Sequence, residues 1–333
     1  MVKAAVIGAG YLGKFHAEKY SVAEGADLVA VVDLNLERAS GVGHACGCKA
    51  IQDYQLLPGL GVQCASIVSD TSTHYSIAKW LLKNGIDVLV EKPMAVELSE
   101  ARELIDVAYA NGRILQVGHL ERFNPAFLRI SQILTKPLFF EVRRIAQFTG
   151  RGADVDVLRD LMIHDIDIIA HLVGRPLLRV EAIGVPVLTN KIDIASARLV
   201  FEGGCVANVT ASRAAFKAER TIKIFQPDLY ISLDFGSKQA KVISRHQAKD
   251  STSLPQIKVE DLVVEEGDAL MSEIVSFLGC VRERTAPVVS GEAGLNALEI
   301  VQQIDLAISN SVAEYDGQLM EQAGMIDSRI GHT

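Results

Sequence analysis

The stretch Gly8-Ala9-Gly10-Tyr11-Leu12-Gly13 stands near the start of a 333-residue chain, directly behind the apolar run Ala4-Ala5-Val6-Ile7. The run reads as a short buried strand. Gly8 permits a tight turn, Gly10 lets backbone approach a pyrophosphate, and Gly13 lets the next helix pack closely on the strand. The helix start then offers N–H groups and partial positive charge to phosphates. A second apolar run, Leu28-Val29-Ala30-Val31-Val32, ends at Asp33, twenty residues beyond Gly13. A carboxylate there accepts both ribose hydroxyls and repels a 2′-phosphate. Strand, turn, helix-length spacer, second strand and terminal acid agree on a dinucleotide site that favours NAD over NADP. A Rossmann-like domain with a repurposed cleft is the plainer alternative.

The same alternation continues outward. Strands are expected at Ala65-Ser66-Ile67-Val68, Asp87-Val88-Leu89-Val90 and Ile114-Leu115-Gln116-Val117-Gly118-His119, with helices over 75–84 and 99–111 and a polar loop over 69–74. This is βαβ spacing, and parallel strands place their C-terminal ends on one sheet edge, where ligands bind. After His119 the pattern changes. Strand character appears over 139–147, 177–188, 195–201, 205–212, 221–226 and 229–235, with a helix over 156–172 and a hairpin turn at Gly203-Gly204. Residues 237–265 read as strands and loops, 267–284 and 294–313 as helices, and 328–333 as a fraying end. The fold class is α/β. An N-terminal doubly wound parallel Rossmann sheet over 1–120 precedes an α+β domain over 121–333, built on a largely antiparallel open sheet.

Composition narrows the function. With 49% hydrophobic and 22% charged residues the chain is globular, and its net charge of −8 argues against nucleic acid as a bulk partner. No signal peptide or apolar membrane span is legible. The five cysteines, Cys46, Cys48, Cys64, Cys205 and Cys280, lack the paired spacing of a zinc site, so no metal is expected and the thiols read as reduced in a cytoplasmic protein.

Three groups could carry chemistry. Glu91-Lys92-Pro93 ends a core strand. Lysine there either stays solvated or polarises a substrate hydroxyl, and Pro93 keeps Lys92 extended. Asp160 and His164 are four apart, so they share one helix face, as a surface pair or as an orienting carboxylate and a base. His171, Asp165 and Asp167 read as capping or pairing residues. Finally, Arg122, Arg143, Arg144, Arg151, Arg213, Lys217 and Arg220 form a basic run that either scatters in solvent or binds a diphosphate.

The glycine turn, strand-end Glu91-Lys92-Pro93 and the later Asp160-x-x-x-His164 stand in an order that resembles the Gfo/Idh/MocA family. Its members are NAD(P)-dependent oxidoreductases acting largely on sugars and cyclitols, and the resemblance covers nearly the whole chain. The runs 118–125 (GHLERFNP), 160–167 (DLMIHDID), 211–213 (ASR) and 224–235 (IFQPDLYISLDF) resemble members that oxidise a UDP-linked amino sugar. Asp154-Val155-Asp156-Val157-Leu158-Arg159 departs from the glycines common before the helix Asp, which bears on the pocket floor.

The resemblance implies NAD-dependent oxidation of C3 of UDP-N-acetylglucosamine to the 3-oxo sugar nucleotide. That step serves 2,3-diamino sugar and lipid A synthesis, through a pyridoxal-phosphate aminotransferase as downstream partner. It implies Lys92, His164 and Asp160 as the catalytic set, with either Lys92 or His164 as base. Cofactor contacts fall to Gly8, Gly10, Tyr11, Leu12, Gly13, Asp33, Ser69, Thr71, His74, Glu91, Lys92 and His119. Substrate contacts fall to Arg122, Asn124, Arg151, His164, Arg213 and Arg220. A homodimer or homotetramer is expected through the exposed face of the second sheet, with no nucleic acid and no membrane partner. Another sugar or cyclitol dehydrogenase of the family, or a non-catalytic dinucleotide-binding regulator, are the rival readings.

Overall fold

Short apolar strands closed by glycine or polar turns alternate with helices through the first third of the chain. In order they are β1 (Val2–Ile7), α1 (Tyr11–Val22), β2 (Ala26–Val32), α2 (Leu36–Cys46), β3 (Lys49–Ile51), β4 (Cys64–Ile67), α3 (Thr71–Lys83), β5 (Asp87–Glu91), α4 (Leu98–Ala110), β6 (Leu115–Gly118) and α5 (Pro125–Ser131). There follow β7 (Phe139–Ile145), a π-helical turn (Leu158–Met162), α6 (Ile163–Val173), β8 (Leu177–Val185), β9 (Ile194–Phe201), β10 (Val206–Ser212), β11 (Glu219–Gln226), β12 (Leu229–Asp234), β13 (Gln239–His246), β14 (Gln256–Leu262), α7 (Ala269–Glu283) and α8 (Gly291–Ile330). The structure, a computed structural model, describes residues 1–148, 150, 155–235, 239–246, 256–262 and 267–330, with side chains up to 312 except at 246.

Contacts divide the chain into two units, Met1–Arg129 with Glu265–Leu298, and Ile130–Val264 with Glu299–Thr333. The boundary read at 120 therefore differs from the folded division, because α7 returns to the first unit. Its Leu270, Ile274, Phe277, Leu278 and Val281 share a buried cluster with Val2, Ala4 and Val6 of β1 and Tyr20 of α1.

In the first unit, six strands pair in the order β3-β2-β1-β4-β5-β6, all parallel. Successive residues of β1 face opposite sides, as strand geometry requires. Ala5 and Ile7 join Ile77, Leu81 and Leu82 of α3 and Leu104 of α4, while Ala4 and Val6 join α1 and α7. The order reverses at β1, and the cleft opens there between the ends of β1 and β4.

The second unit has an eight-stranded sheet, β14-β13-β12-β11-β7-β10-β9-β8, antiparallel except for the parallel pair β7–β10. One face carries Phe140, Val142, Leu199, Ala207, Val209, Ile222, Ile224 and Ile231, all buried. α8 approaches Gly184 of β8 so closely that a Cβ there would lie 2.9 Å from Ile308 Cδ1.

Three local readings change. α3 starts at Thr71 rather than 75, since Asp70 stands as N-cap and the Thr73 hydroxyl closes the turn onto the Asp70 carbonyl at 2.7 Å. The helix read over 156–172 opens as the π turn before becoming α6. α8 starts at Gly291 and runs to Ile330, past the expected end at 313 and through residues read as frayed. Among the described residues no helix is long and apolar enough to cross a membrane.

One buried ion pair organises the second unit. Asp193 Oδ2 accepts the N–H groups of Val187 (2.8 Å), Leu188 (2.6 Å) and Thr189 (2.8 Å), and Oδ1 accepts Arg213 Nε (2.7 Å) and the Thr189 hydroxyl (2.9 Å). Burial alone would raise the Asp193 pKa, but these N–H groups and the guanidinium hold it well below the usual carboxylate range. A depressed folded-state pKa gives stability that is present above the unfolded value of ~3.9 and lost as pH falls toward the folded value. Asp193→Ala would leave Arg213 buried without this counter-charge. It should lower the unfolding free energy by about 3–5 kcal/mol near pH 7. The gap from wild type should shrink below about pH 4, as denaturant titrations at the two pH values would read.

Candidate functional site

The glycine turn takes its shape from close backbone approach. Gly8 adopts φ +98°, and a Cβ there would lie 2.6 Å from the Val68 carbonyl oxygen. A Cβ on Gly13 would fall 1.8 Å from the Gly8 carbonyl oxygen, whereas Gly10 faces open space. α1 begins with Gly10 as N-cap, no side-chain cap and no acid in its first turn. Before it lies a cavity of about 630 Å³, lined by Gly8, Gly10, Tyr11, Asp33 and Ser69 among others. Asp33 is held there by the N–H of Ala9 on Oδ2 and of Asn35 on Oδ1, each at 2.8 Å, with Arg38 3.7 Å from Oδ2.

The other residues expected at the cofactor take different positions. His74 is buried, with Nδ1 2.9 Å from the Pro93 carbonyl oxygen and Nε2 3.0 Å from that of Ser69. It ties the end of β4 to the segment after β5. Thr71 starts α3, and Leu12 is 38% exposed on α1. His119 is buried just after β6. Glu91 turns its carboxylate inward, where Oε1 lies 3.2 Å from His16 Nε2 and Oε2 accepts the Lys92 N–H at 3.3 Å. Burial alone would raise its pKa, but the bond to His16 and the charges of His16 and Lys92 bring it below the ordinary value. The Lys92–Pro93 peptide bond is cis.

Among the expected substrate contacts, Arg122 is only 4% exposed and Asn124 caps α5, accepting the Ala126 N–H at 3.0 Å and donating to Glu121 at 3.3 Å. Both belong to the first unit. Arg151 lies outside the described residues. In the second unit Asp160 falls in the π turn and His164 in the first turn of α6, both half-buried. Arg220 stacks on Phe235 at 4.7 Å, and burial lowers its pKa to about 10.

Three members of the basic run read from sequence, Arg143, Arg144 and Arg213, are bound to acids. Arg144 makes a buried two-point pair with Asp165 on α6 (2.8 and 2.7 Å), and Arg143 pairs with Glu219 at 3.0 Å. Arg213, expected at the substrate, is 4% exposed; besides Asp193 it donates to the Val155 carbonyl at 2.7 Å and to the Thr189 hydroxyl at 3.2 Å. Its planar fork thus anchors the segment leading into the π turn. Several cavity residues escaped the sequence reading: Asn35, Arg38, Tyr54 and Thr73. Asn35 carried a signal, a side chain of helix-capping type two residues past the strand-end acid, and it accepts the Arg38 N–H at 3.0 Å. Also missed were His16 and Glu273, whose donor atoms lie within 4.8 Å of one another and of Glu91 in a spacing that would suit a metal ion.

Comparisons with known proteins agree with this architecture. Residues 2–119 match the GFO/IDH/MocA oxidoreductase family with an NAD-binding Rossmann fold, and residues 142–231 match the GFO/IDH/MocA C-terminal domain. The chain is 35% identical over 308 residues to UDP-N-acetylglucosamine 3-dehydrogenase of Acidithiobacillus ferrooxidans, covering 92% of this chain and 97% of the relative. A solved structure of that enzyme superposes with a TM-score of 0.86 at 34% identity over the same shares of the two chains. The chain is also 27% identical to scyllo-inositol 2-dehydrogenase (NAD(+)) of Bacillus subtilis, over 93% of this chain and 94% of the relative.

The residues present fit a dinucleotide. Open space at Gly10, an uncapped helix start and an acid at the end of β2 are what a pyrophosphate and a ribose require. Gly13→Ala should force α1 away from the turn and weaken NAD⁺ binding by roughly ten-fold or more. Titration calorimetry, with circular dichroism to check that the variant folds, would measure this.

Proposed function

This chain belongs to the Gfo/Idh/MocA family of oxidoreductases, and on that premise we propose that it oxidises a sugar-nucleotide hydroxyl, C3 of UDP-N-acetylglucosamine, with NAD as cofactor. The observation that carries the substrate is the 35% identity to the Acidithiobacillus ferrooxidans enzyme over 97% of its length. When bound, the nicotinamide supplies the hydride acceptor.

The protein's own residues do the rest. Gly8 and Gly10 would leave room for the pyrophosphate against the start of α1, which Gly13 lets close on the turn, and Asp33 would receive the adenosine ribose. Two of the four lone-pair directions of that carboxylate are taken by Ala9 and Asn35, and the others accept ribose hydroxyls. A 2′-phosphate would meet the same negative charge, which favours NAD over NADP. Oxidising an alcohol to a ketone removes a hydride from carbon and a proton from oxygen. Lys92 and His164 are the residues proposed for the proton, one as base and the other stabilising the developing alkoxide, with Asp160 orienting His164. Arg122, Asn124, Arg151 and Arg220 are the contacts proposed for the substrate's diphosphate, and Arg213, proposed with them, is instead bound to Asp193. The product is a 3-oxo sugar nucleotide, suited to a transaminating partner on the path to a 2,3-diamino sugar for lipid A. A homo-oligomer through the second sheet is part of the same reading, supported by exposed Ile183, Val185, Ile257 and Val259 on its strands.

Incubation of the protein with NAD⁺ and UDP-N-acetylglucosamine, followed by mass spectrometry, should reveal a product lighter than substrate by two hydrogens, which then condenses with an added amine with loss of one water. Parallel arms with scyllo-inositol and myo-inositol test the cyclitol reading; oxidation there with UDP-N-acetylglucosamine unchanged would overturn the proposal. Lys92→Ala and His164→Ala should each lower kcat by about 10²–10⁴ while NAD⁺ binding persists. Near-wild-type turnover in both would refute their assignment. Asp33→Ser should shift the NADP⁺ to NAD⁺ ratio of kcat/KM upward by roughly ten-fold, measured from initial rates with each cofactor.

A further inference from the structure

Glu273 is the least expected side chain in the first unit. It lies on α7 at 0% exposure, and neither carboxylate oxygen has a hydrogen-bond partner among the described residues. The interior around it is polar. His16 on α1, also at 0% exposure, bonds Glu91 through Nε2, and its Nδ1 has no partner among the described residues. Gln116 on β6 donates Nε2 to the Glu273 backbone carbonyl at 3.5 Å, and its Oε1 is likewise without a partner. Donor atoms of His16, Glu91 and Glu273 all lie within 4.8 Å of one another.

Two ionised carboxylates so close in a buried site repel too strongly to coexist without a compensating charge, so one of them holds a proton. Geometry says which. Glu91 has an imidazole on one oxygen and the Lys92 N–H on the other. Glu273 has no such partner, and burial, with the charge of Glu91, pushes its carboxyl well above the ordinary range. A third contact also confines Glu91: a Cβ on Gly118 would lie 2.8 Å from Glu91 Oε1, so the carboxylate packs where that side chain would be.

We propose that Glu273 is a neutral carboxylic acid whose O–H, directly or through one water, closes a His16–Glu91–Glu273 chain, and that it serves as a positioning residue for Lys92. The proton on Glu273 lets Glu91 stay ionised and fixed. Glu91 in turn holds the Lys92 N–H, and so the start of the segment that carries the reacting lysine. The positioning half rests on the role proposed for Lys92 above; the protonation half does not.

The full-length protein labelled with ¹³C at glutamate carboxyls should show one side-chain resonance at its protonated position at about pH 8, far above the ordinary glutamate range. That resonance should vanish in Glu273→Gln. Turnover should separate the two variants: Glu273→Leu removes the donor and should lower kcat by roughly ten-fold or more with KM for NAD⁺ little changed, whereas Glu273→Gln, which keeps an N–H donor, should recover most of it. Should Glu273→Leu fail to fold, the resonance and Glu273→Gln still decide. A wild-type spectrum without a protonated glutamate overturns the proposal, as does Glu273→Gln losing as much as Glu273→Leu. So does a stoichiometric divalent metal in the purified protein, which would make the cluster a cation site. If Lys92→Ala retains turnover while the resonance is present, the positioning role fails and the protonated acid stands.

Discussion

The approach of Gly13 to the Gly8 carbonyl sets the first unit. No side chain fits between α1 and the turn that precedes it, so the helix starts against the end of β1. From there its inner face is dictated by helical geometry. One turn beyond Gly13, His16 reaches Glu91 on β5; one turn later, the Tyr20 hydroxyl meets Ser66 of β4 at 2.9 Å. The contact that opens a phosphate cradle therefore also locks α1 across the two strands whose ends carry Ser69 and Lys92. Because all six strands are parallel, Asp33, Ser69, Lys92 and His119 follow strand ends on a single edge.

Buried charge plays the corresponding part in the second unit. Arg144 with Asp165, and Arg213 with Asp193, are nearly free of solvent. Such pairs add little net stability over well-packed apolar groups, because desolvation offsets most of the attraction. Their value lies in geometry. A guanidinium fork and a carboxylate match in few orientations, so Arg144 fixes how α6 lies on β7. Arg213 joins the end of β10, the loop before β9 and the Val155 carbonyl. Asp160 and His164 sit between these two anchors in sequence. The π turn that carries Asp160 is thus bounded by the Arg213 hydrogen bond to the Val155 carbonyl on one side and the Arg144–Asp165 pair on the other, which hold a helix irregularity in place.

Much of this was legible because it is local. Strand periodicity, glycine spacing and a strand-end acid each depend on a few adjacent residues, and they placed both sheets and the cradle. Contacts between distant segments were not legible. Arg144 and Arg213 look like phosphate ligands because sequence shows their charge and hides their acids. The apolar face of α7 is readable, but periodicity cannot say which sheet it will cover, so the helix was assigned to the second domain. The start of α3 was missed for a smaller reason: Ser69, Asp70, Thr71 and Thr73 have the composition of a loop, and the same hydroxyls close the helix's first turn.

A glutamate in an amphipathic helix reads as a solvent-facing residue, since lone buried carboxylates are rare. Glu273 is buried because α7 covers the sheet at the level of β5 and β6, beneath residues drawn from positions 16, 91 and 116. No pair of these is close in sequence. The segment bearing Lys92 therefore depends on more than the strand it follows. It depends on α1 having been pulled in by Gly13, on the bare backbone of Gly118, and on a helix that returns from the far end of the chain. An α7 that merely covered apolar surface would place leucine or isoleucine at position 273. A carboxylic acid there, beside a histidine and a second carboxylate, fits the proposal that the proton it holds keeps Glu91 ionised and in place.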